Sequence, residues 1–219
     1  MRSLPDTVDL RESQLGRLPV RDQGPLESCS AHAVASAVAC EVPFEPSRLF
    51  IHYNCREGAP LVRHAVAAVA RHGFCPEEEW PYDAYRFETR PPESVYQRAA
   101  AYSGCVAREL SQDLATLRAT LADGRPFVCG LILHYQFLSA VTRSTGAIPL
   151  PGPSEPRLGG HAVAVAGYDD RRRRFLIRNS MGPRWGEDGY GYVPYEYLTD
   201  PRLAVDFWAI ENVKRERRG

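Results

Sequence analysis

Three polar residues, each at the end of a predicted helix or strand, carry the groups needed for thiol catalysis. Cys29 directly precedes an alanine-rich helical segment, and a thiol at a helix N-terminus is favoured as the reactive thiolate. His161 opens a strand-like segment after two glycines, where an imidazole can project into a cleft. Asn179 ends another strand, ahead of a glycine- and tryptophan-rich loop. The order Cys, His, Asn is that of a nucleophile, its base and an amide that orients the base.

Each of these residues also has an interpretation without catalysis. Cys29 could be a small buried hydrophobe, as most cysteines are in a reducing compartment. His32, on the first turn of the same helix, could be a second base or a packed histidine at the rim of the site. The arginines at 171–174 follow two aspartates between two strands, which is typical of a solvated hairpin turn.

The first half of the chain has the apolar spacing of helices. After an extended lead-in over residues 1–28, the pattern predicts helices over 30–42, 47–55, 61–73 and 111–124. Gly73 is the expected C-cap of the third helix, and Ser111 is the expected N-cap of the fourth. The proline-rich stretch over 75–94 is expected to be loop. Cys29 is therefore placed where an extended segment enters a buried helix.

The second half changes to the composition of strands. Apolar and aromatic runs predict strands over 126–135, 161–170, 174–180, 189–198 and 204–213, with a long loop over 143–160. Helices followed by strands indicate an α+β protein, here of two lobes. His161 and Asn179 then belong to the strand-rich part, across from Cys29.

Composition excludes several classes of protein. The chain has 219 residues, 44% of them hydrophobic, which is enough apolar mass for a folded core. Its formal net charge is zero, which argues against a nucleic-acid binder. The N-terminus lacks the apolar stretch of a signal peptide and no run is long enough to cross a membrane, so we expect a cytoplasmic protein without a membrane partner. None of the six cysteines form a C-x-x-C pair, so no metal and no cofactor is expected.

Three motifs in this order resemble those of the papain-like cysteine peptidases. P-V-x-x-Q-G-x-x-x-S-C stands at 19–29, H-A-V-x-x-x-G-Y at 161–168 and N-S-x-G-x-x-W-G-x-x-G-Y at 179–190. The resemblance runs over almost the whole chain and is strongest to the bacterial branch that lacks a propeptide. Any one of these motifs alone would be weak, whereas three with matching separations are specific.

The resemblance implies a fold and four catalytic roles. The fold is a two-lobe papain-like domain over 1–219, with a mainly helical lobe over 22–108. A mainly β, barrel-like lobe is formed by 1–21 and 109–219, and the active-site cleft lies between the lobes. Cys29 would be the nucleophile, His161 its base and acid, and Asn179 the group that holds the imidazole. Gln23 would donate its amide to the oxyanion, beside the backbone N–H of Cys29.

The substrate side departs from the family pattern. Leu26 replaces the usual half-cystine, Glu27 replaces a glycine at the cleft rim, and Met181 replaces the tryptophan that covers the His–Asn bond. The usual Gly-Gly wall aligns near 58–60, where a proline has no N–H to donate to a peptide substrate. The residues expected to contact substrate are Glu27, Ser28, Ala59, Pro60, Gly160, Met181 and Trp185.

The main functional hypothesis is a thiol hydrolase that cleaves peptide or amide bonds through a Cys29 acyl-enzyme. Two alternatives use the same residues differently. An acyltransferase would pass the acyl group of a small biosynthetic substrate to an amine, and the altered substrate wall favours it. A non-catalytic binding module would keep the fold without the reaction, although such a module has little reason to keep the nucleophile.

Overall fold

The computed structural model describes residues 3–55 and 61–211, an α+β arrangement of helices and one antiparallel sheet. Its helices are α1 (Gln14–Arg17), α2 (Cys29–Val38), α3 (Arg48–Cys55), α4 (Val62–His72), α5 (Glu93–Ala99), α6 (Leu114–Ala122), α7 (Ala140–Thr145) and α8 (Tyr195–Thr199). Its strands are β1 (Thr7–Asp9), β2 (Val106–Glu109), β3 (Phe127–His134), β4 (Arg157–Asp169), β5 (Arg174–Arg178), β6 (Tyr190–Pro194) and β7 (Ala204–Glu211).

The sheet is open rather than barrel-like. Its strands lie in the order β2-β7-β3-β4-β5-β6, and β1 pairs with the far end of β4. Within the described ranges, β2 and β6 stand at opposite edges and do not pair with each other. The expected barrel-like lobe is therefore corrected to an open antiparallel sheet, because closure depends on pairing between edge strands that lie far apart in sequence.

Strand β4 separates two hydrophobic cores. Ala162 and Ala164 face α2 and α4 in one core, while Val163 and Val165 face the opposite core of the sheet lobe. This alternation follows from the two-residue period of a strand. The two alanines are small, so α2 can pack closely on β4. That packing brings Cys29, the first residue of α2, beside the strand that carries His161.

Local signals predicted most elements and misassigned a few boundaries. Gly73 ends α4 at φ 71°, as expected of a C-cap. The N-cap of α6 is Asp113, whose carboxylate accepts from the Thr116 N–H, and not Ser111. Helix α5 begins in the last two residues of the stretch predicted as loop, and α8 interrupts the strand predicted over 189–198. The end of α7 and the start of β4 fall within the segment predicted as a loop over 143–160.

A buried arginine attaches the N-terminal part of the chain to the sheet. We call residues 15–23 the N-terminal arm. Arg178, at the end of β5 and 6% exposed, donates to the backbone carbonyls of Leu15, Leu18 and Pro19 in this arm. The Leu18 and Pro19 carbonyls lie outside the helices and strands, so no backbone ladder supplies their donors, and leaving them without one would cost free energy. Arg178 therefore fixes the arm next to Asn179, the following residue.

We expect Arg178→Met to lower the free energy of unfolding by about 3 kcal/mol, because three carbonyls in buried or partly buried contacts lose a charged donor. Urea denaturation followed by circular dichroism measures the change. Arg172→Met is the matched control: Arg172 is exposed and its ion pair is with the neighbouring Asp169, so its loss should cost well under about 1 kcal/mol. Equal stability of the two variants would contradict the role given to Arg178.

Candidate active site

Cys29 is the first residue of α2 and is partly buried. Burial raises the pKa of its thiol, but the hydrogen bond and positive charge of His161, with the N–H groups of Ala162 and Ser30, together lower it below the ordinary value. Ser28, at the N-cap, makes no capping hydrogen bond with its side chain. The first N–H groups of the helix therefore remain available to negative charge near the thiol.

His161 lies on β4 and is held in one tautomer by Asn179. The imidazole Nε2 is 2.7 Å from Asn179 Oδ1, and the same Oδ1 accepts from the Ser180 N–H at 2.8 Å. Because a backbone N–H can only donate, this Asn179 atom is the carbonyl oxygen and His161 Nε2 carries a proton. The other ring nitrogen, Nδ1, is left to exchange a proton with Cys29.

Gln23, at the end of the N-terminal arm, is fixed from both sides of its amide. Its Oε1 accepts from Ser180 Oγ at 2.6 Å, and its Nε2 donates to the Leu26 carbonyl at 2.9 Å. The backbone N–H of Gln23 also donates to the Ser180 carbonyl at 2.8 Å. One N–H of the side-chain amide remains free for another acceptor. Gln23 is thus oriented by the residue that follows Asn179.

Cys29, His161 and Gln23 line one cleft with a volume of about 500 Å³. The apolar part of its lining consists of Leu61, Val62, Leu131, Ile132, Leu133, Leu158 and Val205. Two carboxylates also line it. Asp206 is 2% exposed and is paired with Arg63 Nε at 3.1 Å, whereas Glu27 is exposed and has no ion-pair partner among the described residues. The cleft therefore combines an apolar lining with the exposed carboxylate of Glu27, which no described residue neutralises.

The other expected substrate contacts are distributed unevenly. Glu27 and Gly160 line the cleft with Cys29. Ser28 is 1% exposed and does not line the cleft, and its Oγ is hydrogen-bonded to Tyr82 OH at 2.7 Å. Met181 is partly buried against the sheet core, next to Asp22. Ala59 and Pro60 lie outside the described residues.

Trp185 reaches the site through another aromatic residue. Its indole stacks on Phe137 with ring centroids 6.0 Å apart, and Phe137 in turn contacts the His161 ring at 5.5 Å. Phe137 is 1% exposed and was missed by the sequence analysis, because it lies in an irregular stretch after β3. Ser180 was also missed as a positioning residue, although it stands inside the third motif.

A thiol with lowered pKa, an imidazole fixed by an amide, and a free donor at the mouth of a cleft define the class of thiol-dependent hydrolases. No group of three or more His, Cys, Asp and Glu in the described part of the chain could hold a metal ion. No helix within the described ranges is both long and apolar enough to cross a bilayer.

Known proteins similar to this chain agree in fold and family. The papain family cysteine protease profile matches residues 4–198. An uncharacterized peptidase C1-like protein of Acanthamoeba polyphaga mimivirus is 35% identical over 215 residues, which cover 88% of this chain and 69% of that protein. Xylellain, a cysteine protease from Xylella fastidiosa, is 37% identical with a TM-score of 0.88, over 97% of this chain and 88% of xylellain. Digestive procathepsin L 3 of Tenebrio molitor shares the fold at 18% identity and a TM-score of 0.72, over 95% and 70% of the two chains.

The chain belongs to the papain family of cysteine proteases. It is a thiol protease that hydrolyses peptide bonds, as the main hypothesis from the sequence states. Nothing in the site or among these relatives favours acyl transfer to an amine.

We expect iodoacetamide at neutral pH to modify Cys29 well before the other five cysteines. Burial raises the pKa of Cys40, Cys55 and Cys105 to about 11 and of Cys75 to about 12, and raises that of Cys129 further still. The pKa of Cys29 is lowered, so near pH 7 it has the largest thiolate fraction of the six. Peptide mapping by mass spectrometry after short exposure measures each site.

The matched control is His161→Ala, which removes the largest interaction that lowers the pKa of Cys29. Its alkylation rate should fall at neutral pH and recover as the pH is raised. Labelling of a buried cysteine as fast as Cys29 in the folded wild-type protein would contradict this assignment.

Proposed function

We propose that Cys29, His161, Asn179 and Gln23 carry out peptide-bond hydrolysis in the following roles. The Cys29 thiolate attacks the carbonyl carbon, a C–S bond forms, and the carbonyl π electrons move to the oxygen. The free Gln23 amide N–H and the Cys29 backbone N–H donate to that oxyanion. When the C–N bond breaks, the His161 imidazolium gives its Nδ1 proton to the leaving amine.

The second half-reaction returns the enzyme to its starting state. Neutral His161 takes a proton from water, and the oxygen of that water attacks the thioester carbonyl. The tetrahedral adduct expels the Cys29 thiolate, which leaves the carboxylic acid and restores the thiolate–imidazolium pair. Asn179 keeps Nε2 protonated throughout, so that only Nδ1 exchanges protons. The hydrogen bond of 2.7 Å between His161 and Asn179 is the observation that carries this proposal.

For the substrate, we propose a peptide with a large apolar side chain and a basic side chain beside the scissile bond. The apolar lining of the cleft supports the preference for an apolar side chain, because burying such a side chain is favourable by about 1.5–3 kcal/mol. Glu27, two residues from Cys29 and without an ion-pair partner among the described residues, supports the preference for a basic side chain. Asp206 contributes no net charge to this preference because Arg63 neutralises it.

We further propose that the enzyme acts in the cytoplasm. All six cysteines have free thiols, including Cys75, Cys105 and Cys129 in the core, which fits a reducing compartment. Cell fractionation with an antibody to the protein tests this, and recovery of the active protein only outside the cytoplasm would contradict it.

We expect Gln23→Ala to lower kcat by roughly 10²–10³-fold with a small change in KM, because an oxyanion donor acts in the transition state. Cys29→Ala should abolish cleavage of a fluorogenic peptide altogether. Gln97→Ala, an exposed glutamine on α5, is the matched control and should keep the wild-type rate. A Gln23→Ala enzyme with normal kcat would remove Gln23 from the mechanism.

We expect Glu27→Gln to lower kcat/KM roughly two- to fivefold for a substrate with arginine beside the scissile bond, because an exposed ion pair is weak. The same peptide with glutamine in that position should be unaffected. Glu12→Gln serves as the control for general charge effects, because Glu12 is an exposed glutamate in the short helical turn Leu10–Glu12 and does not line the cleft. An equal loss on both peptides would show that Glu27 does not read substrate charge.

A further inference from the structure

His32 is a buried histidine behind the active site that the mechanism does not use. It lies one turn after Cys29 on α2 and is 5% exposed. Its ring packs edge-on against Tyr82 with centroids 4.9 Å apart. A polar ring held this firmly in the interior needs partners for both of its nitrogens.

The contacts of His32 determine its tautomer. Nδ1 is 3.0 Å from the backbone carbonyl of Ser28, which can only accept, so Nδ1 carries the proton. The Ser28 hydroxyl, 3.3 Å from Nδ1, does not compete as a donor, because it donates to Tyr82 OH, whose own proton goes to the Gln23 carbonyl. Burial lowers the pKa of His32 to about 3, and the positive charge of Arg48 adds to this, so the ring is neutral at the pH of the cytoplasm. Nε2 is therefore an unprotonated acceptor, and it has no hydrogen-bond partner among the described residues.

Asn179 has a buried donor without an acceptor, whereas His32 has a buried acceptor without a donor. Its Oδ1 accepts from His161 and from the Ser180 N–H, whereas its Nδ2 is buried and has no partner within the described ranges. An amide fixed only at its oxygen can rotate and exchange oxygen for nitrogen. Such a flip would point a donor at the protonated Nε2 of His161 and break the orienting hydrogen bond. An acceptor for Nδ2 would prevent it.

His32 and Asn179 line the same small cavity, which has a volume of about 30 Å³. A space of about that size holds one water molecule. The other polar side chains that line this cavity already have partners: they are Arg21, Ser36, Glu45, Arg48 and Arg178. Among the side chains that line this cavity, Asn179 Nδ2 and His32 Nε2 are the buried polar atoms without a partner within the described ranges. One is a donor and the other an acceptor, so a single water molecule between them would satisfy both.

We propose that His32 is a positioning residue linked to Asn179 by one water molecule in this cavity, which accepts from Asn179 Nδ2 and donates to His32 Nε2. The proposal rests on the orienting role of Asn179 proposed above. His32 locks the amide with its oxygen towards His161, and so acts on catalysis through Asn179 without touching substrate. The helix that carries the nucleophile thereby also sets the orientation of the group that positions the base.

The first experiment compares His32→Phe with His32→Gln. Phenylalanine keeps the ring shape but removes the acceptor, so kcat should fall about tenfold with KM unchanged. Glutamine can place a carbonyl oxygen near the position of Nε2 and should recover most of that loss. His72→Phe, a partly buried histidine on α4, is the matched control and should keep the wild-type kcat. A wild-type kcat in His32→Phe, or equal losses in the two His32 variants, would overturn the proposal.

The second experiment is a double-mutant cycle with Asn179→Ala. If His32 acts through Asn179, adding His32→Phe to Asn179→Ala should change kcat by less than about twofold. Full multiplication of the two losses would mean that His32 acts elsewhere, and would overturn the proposal.

Imidazole ¹⁵N NMR gives a readout that does not depend on activity, and its tautomer assignment needs only the wild-type protein. His32 Nδ1 should be protonated and Nε2 should be an unprotonated, hydrogen-bonded acceptor whose resonance shifts in Asn179→Ala. A protonated Nε2 in the wild-type protein, or a His32 Nε2 resonance that is unchanged in Asn179→Ala, would overturn the proposal. If Asn179→Ala keeps full activity, its proposed catalytic role fails, and the NMR shift still decides whether His32 holds the amide.

Discussion

The contact between a thiol and an imidazole on two different lobes is the constraint around which this molecule is built. Cys29 comes from the first turn of a helix and His161 from a strand of the sheet, and the thiol has a lowered pKa only while the imidazole faces it. Everything that fixes α2 against β4 therefore acts on the chemistry as well as on stability. The alanines at 162 and 164 let the helix approach the strand, so core packing and thiol reactivity depend on the same side chains.

A second layer of hydrogen bonds makes the site rigid. Ser180 contacts Gln23 through its hydroxyl and its carbonyl, and donates its N–H to Asn179 Oδ1. Arg178, one residue before Asn179, holds the N-terminal arm that presents Gln23. The three consecutive residues 178–180 thus join Gln23 to Asn179, to which we assign the roles of oxyanion donor and orienting amide. Such outer contacts decide whether catalytic groups sit in the productive geometry before substrate arrives.

Sequence reasoning selected four residues that the structure brings to one site, because Cys29, His161, Asn179 and Gln23 lie in three motifs whose order and spacing are specific. It located the α+β class and most elements from periodicity. It failed where two local choices were equally good: Ser111 and Asp113 are both strong N-cap residues, and only packing selects Asp113. The tyrosine-rich stretch after β6 has strand composition, yet it turns into a helix after Pro194. Whether the sheet closes, and which buried polar atoms share a cavity, depend on contacts between distant segments that no local pattern encodes.

The bridge between Gln23 and Ser180 also orders events in time. The two residues are 157 positions apart in the chain, so their contact closes a very large loop. During synthesis, Gln23 and Cys29 leave the ribosome long before His161 and Asn179. Contacts between segments so far apart in the chain also form slowly. An incomplete chain carries the thiol without the imidazole that activates it. Catalytic competence is thus among the last properties that this chain acquires as it is made and folded.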